Sequence, residues 1–288
     1  MKVVGGSASL SLAKGVASAL GAGLVEVRPQ KWAGGFPDGD QYARLLGEVR
    51  REHVVIVQTT YPDPKIVELF LLQDSAREAG AERITTVIPY FGYFRQDRSF
   101  EPGEAVSARA LAQRIEVGCD SVLTMGLHNR AILGFFKVPA RDVDGSPALG
   151  RYLRGRGVDF VLAPDENASH HARGAAKALG VPWDYLVKER IDAFHVKIEP
   201  KSLPVRDRTV AIVDDIISTG TTMATAATEL KRQGARRVSA VCLHGLFVAE
   251  ALQKLRACDD VAATDTIESP ATKVSVAPEF AAALRSNP

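Results

Sequence analysis

The chain has 288 residues, of which 46% are hydrophobic and 24% charged, and its formal net charge is +2. These values are typical of a globular protein with a large core, which needs neither a disulfide framework nor a structural metal. Basic residues form no tail or run, which argues against nucleic-acid binding, and no segment has the ~18 apolar residues of a membrane span. The three cysteines lie far apart, and we expect reduced thiols and a cytoplasmic protein.

Short apolar runs alternate with amphipathic helical stretches along the chain. The predicted strands, in chain order, are residues 2–4, 24–27, 53–58, 84–88, 121–124, 160–163, 209–213 and 238–243. The predicted helices are residues 10–20, 65–79, 108–115, 168–179, 223–233 and 249–256. This alternation predicts an α/β fold, in which parallel sheets carry helices on both faces.

Two stretches of the chain share one order of features. The runs VVIVQTT (54–60) and VAIVDDI (210–216) are each followed by a helix, a Gly-Ala turn, a basic residue and another strand. We infer two copies of one α/β domain, 1–145 and 146–288. Any two strand–helix–strand units look alike, so coincidence is the alternative, but the matching Gly-Ala turn favours duplication. The copies differ because Gln58-Thr59 stands where the second copy has Asp214-Asp215.

The acid pair ends a strand and precedes a loop rich in hydroxyls. Ligands of open α/β sheets gather at the carboxyl ends of strands, and N–H groups at the start of a helix bind phosphate well. Gly220 allows close backbone approach. Because two carboxylates would repel a phosphate, we expect them to face sugar hydroxyls or a metal, and the whole string then describes a ribose phosphate site. The alternative is an ordinary Ser/Thr helix cap after a solvated turn.

The string VAIVDDIISTGTT (210–222) resembles the ribose-5-phosphate-binding motif of the phosphoribosyltransferase fold. Six further segments resemble, in the same order, those of the ribose-phosphate pyrophosphokinase family: FPDGDQY (36–42), IPYFGYFRQDRSF (88–100), TMGLHNRAILGFF (124–136), APDENA (163–168), VKER (187–190) and CLHGLF (242–247). They span nearly the whole chain, whose short length resembles that of archaeal members. The resemblance implies two tandem phosphoribosyltransferase-like (type I) domains, each a mostly parallel sheet flanked by helices. The first would be catalytically silent and contribute to an ATP site.

The resemblance also implies a reaction. The pyrophosphoryl group of ATP passes to the C1 hydroxyl of ribose 5-phosphate, giving phosphoribosyl pyrophosphate (PRPP) and AMP. PRPP feeds nucleotide, histidine and tryptophan biosynthesis. The cofactor would be Mg²⁺, and an ATP site shared between subunits implies a homodimer or a larger assembly.

Site residues carry over from the family position by position. Lys188 and Arg190 match the catalytic pair, and His128 with Asp165 matches the metal site. ATP would be bound by Phe36, Asp38, Asp40, Arg95, Gln96, Asp97 and His128. Asp214 and Asp215 would hold the ribose hydroxyls, and the 5-phosphate would lie against Ser218, Thr219, Gly220, Thr221 and Thr222.

Each of these segments also has a plain structural interpretation: FPDGD is a turn, RQDR a surface charge cluster, KER a solvated ribbon, and a lone histidine is structural. The family match favours the site roles. Asp40 stands where the family usually has Glu, the loop at 165–167 has less Gly than usual, and residues 140–142 depart from the family pattern and receive no role. Mg²⁺ prefers oxygen ligands, so His128 is an unusual partner for it.

Two other functions remain open from the sequence. A phosphoribosyltransferase shares the Asp-Asp loop but normally has one such domain and lacks the FRQD and FPDGD segments. A non-catalytic regulator related to the family would be expected to lose Lys188, Arg190, His128 or the acid pair, all of which are present.

Overall fold

The computed structural model describes residues 1–27, 36, 38–186 and 203–286, and the backbone of 188–190 and 196–198. The chain divides into two compact units. The N-terminal unit comprises Met1–Asp144 together with Ser275–Pro288, and the C-terminal unit comprises Gly145–Val274. The expected domains, 1–145 and 146–288, place Ser275–Pro288 in the C-terminal domain, whereas in the structure this segment belongs to the N-terminal unit.

The N-terminal unit is a six-stranded sheet with helical connections. Its first elements are β1 (Lys2–Gly5), α1 (Leu10–Leu20), β2 (Gly23–Val25), β3 (His53–Val57), α2 (Pro64–Glu78), β4 (Arg83–Ile88), α3 (Ser107–Ile115), β5 (Ser121–Met125) and β6 (Ala140–Val143). The strand order is β2-β1-β3-β4-β5-β6, and every neighbouring pair is parallel.

The C-terminal unit repeats this plan. Its elements are α4 (Ser146–Leu153), β7 (Phe160–Ala163), α5 (Ser169–Leu179), β8 (Trp183–Tyr185), β9 (Lys188–Arg190), β10 (Val196–Ile198), β11 (Thr209–Ile217), α6 (Thr221–Arg232), β12 (Arg237–Gly245), α7 (Ala251–Lys254), β13 (Asp260–Thr264) and β14 (Thr272–Val274). The order β8-β7-β11-β12-β13-β14 matches the first sheet strand for strand, and all pairs are again parallel. Strands β9 and β10 form a separate antiparallel ribbon.

The last helix of the chain, α8 (Ala277–Arg285), belongs to the N-terminal unit, where it packs on α1. In the same way α4, which follows the last strand of the N-terminal sheet, packs on α5 of the C-terminal unit. Each sheet is thus followed by a helix that completes the other unit. The packing of α8 explains why the C-terminal segment departs from a division into two contiguous domains.

The helix pairs α1–α8 and α4–α5 each approach closely at a glycine. A Cβ atom on Gly15 of α1 would lie 2.9 Å from the Cβ of Ala277, and one on Gly150 of α4 would lie 2.5 Å from the carbonyl oxygen of Ala175. Contacts below 3.0 Å require the neighbouring backbone to shift, so both glycines are needed for the observed helix spacing.

The central strands of both sheets are apolar because parallel sheets are covered on both faces. Residues 54–57 of β3 and 210–213 of β11 are fully buried. The C-terminal core adds Met223, Leu230 and Leu255 from the covering helices. These strands are the most strongly apolar runs of the sequence, which is why their positions could be predicted from it.

All eight predicted strands and six predicted helices are present, with small shifts at their ends. The largest shift concerns β11, which continues from the predicted end at 213 to Ile217. The elements that the prediction lacks are short or weakly apolar, and they are α4, α8, β6, β8, β9, β10, β13 and β14. Within the part of the chain that the structure describes, no helix is both long and apolar enough to cross a membrane.

We expect Gly150→Ala to destabilise the protein. Alanine favours a helix over glycine by about 1 kcal/mol, but overpacking against a backbone oxygen typically costs about 1–3 kcal/mol, so the clash prevails. The measurement is the midpoint of urea denaturation. The control is Gly134→Ala, where an added Cβ meets no atom within 4 Å. A stability of Gly150→Ala equal to or above that of the control would contradict close packing between α4 and α5.

Candidate functional site

The C-terminal sheet has its switch point between β7 and β11, where the strand order changes direction. Ligands of open α/β sheets bind at the carboxyl ends of strands on either side of such a point. The loop that follows β7 contains Asp165, and the end of β11 carries Asp214 and Asp215. The topology therefore brings these predicted site residues to one edge of one sheet.

The acid pair lies inside β11 rather than after it. Asp214 is in register with Cys242 of β12, and the backbone N–H of Asp215 donates to Asp214 Oδ1 at 2.8 Å. The side chain of Asp215 is buried, with the residue 8% exposed. A strand that continues through two adjacent acids fixes both carboxylates on a rigid element.

The acid pair is held against electrostatic repulsion. Burial raises the pKa of Asp214 well above its ordinary value, and the carboxyl groups of Asp215 and Asp165 raise it further. Like charges so close together cannot all ionise without compensation. Hydroxyl groups or a cation at this edge would supply the compensation, since both interact favourably with carboxylates.

A loop with an open helix start follows the pair. Gly220 has φ 74° and precedes α6, and among the described residues no side chain caps the first turn of that helix. Thr219, Thr221 and Thr222 are exposed. Free N–H groups at a helix start, flanked by accessible hydroxyls, form a favourable environment for a phosphate.

The loop is braced from the end of β12. The N–H groups of Leu246 and Phe247 donate to the carbonyl oxygen of Ile217, at 3.0 and 3.1 Å, and that of Val248 donates to the oxygen of Ser218 at 3.0 Å. These bonds fix the loop backbone from one side. The segment CLHGLF, singled out in the sequence, therefore supports the candidate phosphate loop.

The loop after β7 is ordered by Asp165 itself. Its Oδ1 accepts the N–H of Ala168 at 3.1 Å, just before α5. Glu166 and Asn167 are exposed. The structure thus places Asp165 near Asp214, with the accessible residues 166 and 167 beside it.

The predicted catalytic pair lies on the ribbon. Lys188 and Arg190 are in β9, whose backbone pairs with Ile198 and Val196 of β10. Their side chains, and Val187 of the VKER segment, lie outside the described part of the chain. The role of these two residues stays a prediction.

Four of the predicted ATP residues, Arg95, Gln96, Asp97 and His128, follow β4 and β5. The ring of Phe94, next to Arg95, lies edge-on to His128 with centroids 6.0 Å apart. Asn129 Nδ2 donates to Asp97 Oδ2 at 2.5 Å, which links the two loops. The structure therefore brings the RQD segment and His128 together at the carboxyl edge of this sheet.

Sequence reasoning assigned no role to Asp142, but the structure gives it one. Its buried carboxyl accepts the N–H of Leu127 at 3.2 Å and the hydroxyl of Thr124 at 3.1 Å. Arg130 Nε lies 3.5 Å from its other oxygen. Burial raises the pKa of Asp142. Because these contacts flank His128 on both sides, Asp142 positions the loop that carries His128. In the sequence, only the place of Asp142 at the end of a strand could have indicated this role.

The turn predicted to reach adenine has mostly local contacts among the described residues. The N–H of Phe36 donates to the oxygen of Asp40 at 2.8 Å, and the N–H of Asp40 donates to Asp38 Oδ1 at 3.2 Å. Phe36 is 47% exposed, with its ring edge-on to that of Tyr42 at 5.7 Å. An exposed ring beside two acids is available for stacking.

In the N-terminal unit the corresponding switch point is occupied by the protein's own side chains. Glu68 of α2 accepts the N–H of Ser7 at 2.7 Å and its hydroxyl at 2.6 Å, and Lys65 donates to both residues. Gln58, which stands where the other copy has Asp214, accepts the N–H of Ala8 at 3.1 Å. An internal carboxylate thus satisfies the loop before α1. The catalytic silence of this copy stays a prediction.

Two parallel six-stranded units, one with an acid pair beside a helix start, define a protein of the phosphoribosyltransferase fold class. The family model for the N-terminal domain of ribose phosphate pyrophosphokinase matches residues 1–118, and that for the phosphoribosyl transferase domain matches residues 148–277. The chain therefore belongs to the ribose-phosphate pyrophosphokinase family, which confirms the resemblance and the fold class.

Individual relatives agree with this assignment. The chain is 41% identical to the ribose-phosphate pyrophosphokinase of Methanopyrus kandleri and 40% identical to that of Methanosarcina acetivorans. These alignments cover 99% of this chain and 98% and 99% of the relatives. The crystal structure of phosphoribosylpyrophosphate synthetase from Mycobacterium smegmatis is 26% identical, with a TM-score of 0.80 over 99% of this chain and 97% of that chain.

We expect Asp214→Asn to raise the Tm of the ligand-free protein at neutral and alkaline pH. A carboxyl group whose pKa is raised by folding stabilises the protein while protonated, and this stability is lost as the pH rises through the folded-state pKa. The stability advantage of the variant over the wild type should therefore grow with pH. Each kcal/mol of added stability should raise the Tm by about 2–4 °C. The control is Glu268→Gln, at an exposed site of the same unit. An equal or lower Tm for Asp214→Asn across the pH range would contradict repulsion within the acid pair.

Proposed function

We propose that this protein transfers the pyrophosphoryl group of ATP to the C1 hydroxyl of ribose 5-phosphate. The hydroxyl oxygen attacks the β-phosphorus of ATP, the bond from that phosphorus to the α-phosphate oxygen breaks, and AMP leaves; the hydroxyl proton passes to solvent or a base. The products are PRPP and AMP. The observation that carries the proposal is the acid pair of β11 beside an open helix start, in a chain of the ribose-phosphate pyrophosphokinase family.

Ribose 5-phosphate would bind across the end of β11. Asp214 and Asp215 accept hydrogen bonds from the ribose 2- and 3-hydroxyls, directly or through a metal. The 5-phosphate would lie against Ser218, Thr219, Gly220, Thr221 and Thr222. The N–H groups at the start of α6 would donate to it. Phosphate at one end and diol at the other fix C1 in a defined direction, and positioning of this kind supplies much of the catalysis in phosphoryl transfer.

ATP would be held by the N-terminal unit. Arg95 and Gln96 contact the phosphates, Asp97 and His128 complete that cluster, and Phe36 stacks on adenine. Asp38 and Asp40 would supply the acidic group that accepts a hydrogen bond from the adenine amine. Arginine suits a polyphosphate because its planar fork donates in pairs.

Lys188 and Arg190 are proposed as the catalytic residues. Their cationic groups would neutralise the charge that develops on the transferred group and on the departing AMP. Because they lie on alternate positions of an extended segment, both can serve one phosphate.

The site suits Mg²⁺ as the cofactor. Asp165 and Asp215 both raise the pKa of Asp214, and the three side chains offer the hard oxygen donors that Mg²⁺ prefers. Asp165 would hold the ion; His128, a nitrogen donor in the N-terminal unit, would act through water or on a phosphate. When bound, Mg²⁺ would offset the negative charge of the polyphosphate.

The proposal extends to assembly and location. An ATP site completed by a neighbouring subunit implies a homodimer or a larger oligomer, and the protein would act in the cytoplasm. The alternative functions are a phosphoribosyltransferase and a non-catalytic regulator. The match of residues 1–118 to the pyrophosphokinase N-terminal domain favours the proposed function over a phosphoribosyltransferase.

Purified protein incubated with ATP, Mg²⁺ and ribose 5-phosphate should form AMP and PRPP in equal amounts, measured by ion-exchange chromatography. Asp215→Ala should lose most of this activity because the ribose hydroxyls lose a partner. No AMP above the Asp215→Ala control would overturn the proposal, and release of pyrophosphate from PRPP and a base would indicate a phosphoribosyltransferase instead.

Lys188→Ala should lower kcat by about 10²–10³, the usual effect of removing one group that stabilises transition-state charge. The affinity for ribose 5-phosphate, measured by calorimetry, should stay close to that of the wild type. A variant that turns over at the wild-type rate would remove Lys188 from the mechanism.

A further inference from the structure

A lysine at the end of α7 lies against the candidate phosphate loop. The ammonium group of Lys254 is 3.4 Å from the hydroxyl oxygen of Thr221, the first residue of α6, and the lysine is exposed. We infer that Lys254 is a further substrate-binding residue, which donates to the 5-phosphate of ribose 5-phosphate. The inference rests on the proposed function and adds a cation to its phosphate site.

A phosphate bound at this loop would need a further positive charge nearby. None of the residues 218–222 is basic, and the nearby carboxyl groups repel an anion. A helix start contributes the equivalent of roughly half a positive charge, less than a phosphate dianion carries. The described contact of Lys254 is to a neutral hydroxyl, and at 3.4 Å it is a long hydrogen bond that a phosphate oxygen can readily replace.

Packing fixes Lys254 relative to the loop. A Cβ atom on Gly220 would lie 3.0 Å from the carbonyl oxygen of Ala251 and 3.2 Å from Cγ of Leu255, so loop and helix are in direct contact. Ala251 and Leu255 are buried, on either side of Lys254 in the chain. The base of the lysine side chain is therefore anchored while its end reaches the loop.

The segment before α7 adopts an unfavourable backbone conformation to reach this position. Phe247, Ala249 and Glu250 have φ values of 45°, 49° and 59°, a region that residues other than glycine seldom occupy. The same segment donates the N–H bonds that brace Ile217 and Ser218. Strain of this kind persists where surrounding contacts hold it, and it is common at ligand sites. Here it aligns both the loop and Lys254.

A second lysine of the same unit, Lys231, provides a matched control. Lys231 lies on α6, close to the loop in sequence, but its ammonium pairs with Asp259 at 3.1 Å. Lys231→Ala removes one positive charge from the same unit without touching the loop. A general effect of net charge would appear in both variants, whereas a phosphate contact would appear in Lys254→Ala alone.

The test compares Lys254→Ala, Lys254→Arg and Lys231→Ala with the wild type in steady-state kinetics. Lys254→Ala should raise the KM for ribose 5-phosphate about tenfold, the effect of losing one charge-assisted hydrogen bond, with a much smaller change in kcat and in the KM for ATP. Lys254→Arg should recover most of the loss. A ribose 5-phosphate KM within about twofold of wild type in Lys254→Ala, or an equal rise in Lys231→Ala, would overturn the inference.

Calorimetric binding of ribose 5-phosphate separates this inference from the proposed function. The affinity of the wild type should fall as salt rises, and it should fall less steeply in Lys254→Ala. If the wild type forms no AMP, the proposed function fails, while this titration still reports on Lys254. Equal affinities and equal salt dependence in the two proteins would overturn the role of Lys254, whatever the outcome of the activity assay.

Discussion

Repulsion among carboxyl groups at the switch point of the C-terminal sheet is the constraint around which the site is arranged. Asp214 and Asp215 continue a buried strand, and Asp165 adds to the raised pKa of Asp214. Such a cluster weakens the ligand-free protein, and hydroxyl groups or a cation would offset its negative charge. The candidate phosphate loop begins within a few residues, so one rigid element would present opposite electrostatic preferences to the two ends of the proposed sugar phosphate.

Duplication explains how one fold supports this site in only one of its copies. The two sheets have the same strand order, yet Gln58 occupies the position of Asp214, and Glu68 satisfies the loop before α1. The N-terminal unit is thereby relieved of both the repulsion and the open anion site. His128 and the RQD segment lie instead at its carboxyl edge, where Asp142 holds the loop that carries His128.

Much of this arrangement could be predicted from the sequence, because it depends on local patterns. Apolar runs mark the buried strands, and the acid pair with its Gly-containing loop is contiguous in the chain. The packing of α8 on the N-terminal unit could not be predicted, since a helix pattern does not say which sheet it covers. Lys254 and Asp142 were also missed, because each reaches its loop only through tertiary packing. The adenine contact of Asp40, a position where the family usually has Glu, remains a prediction; Asp40 lies on an exposed turn.

The most direct measurement is the titration of the aspartate carboxyl carbons by NMR, in the free protein and with Mg²⁺ and ribose 5-phosphate. Assignment follows from the variants Asp214→Asn and Asp215→Asn. The pKa of Asp214 in the free protein should lie well above its ordinary value and fall when the ligands bind, because the carboxylate then has compensating partners. An ordinary pKa for both Asp214 and Asp215 in the free protein, unchanged by the ligands, would contradict this expectation.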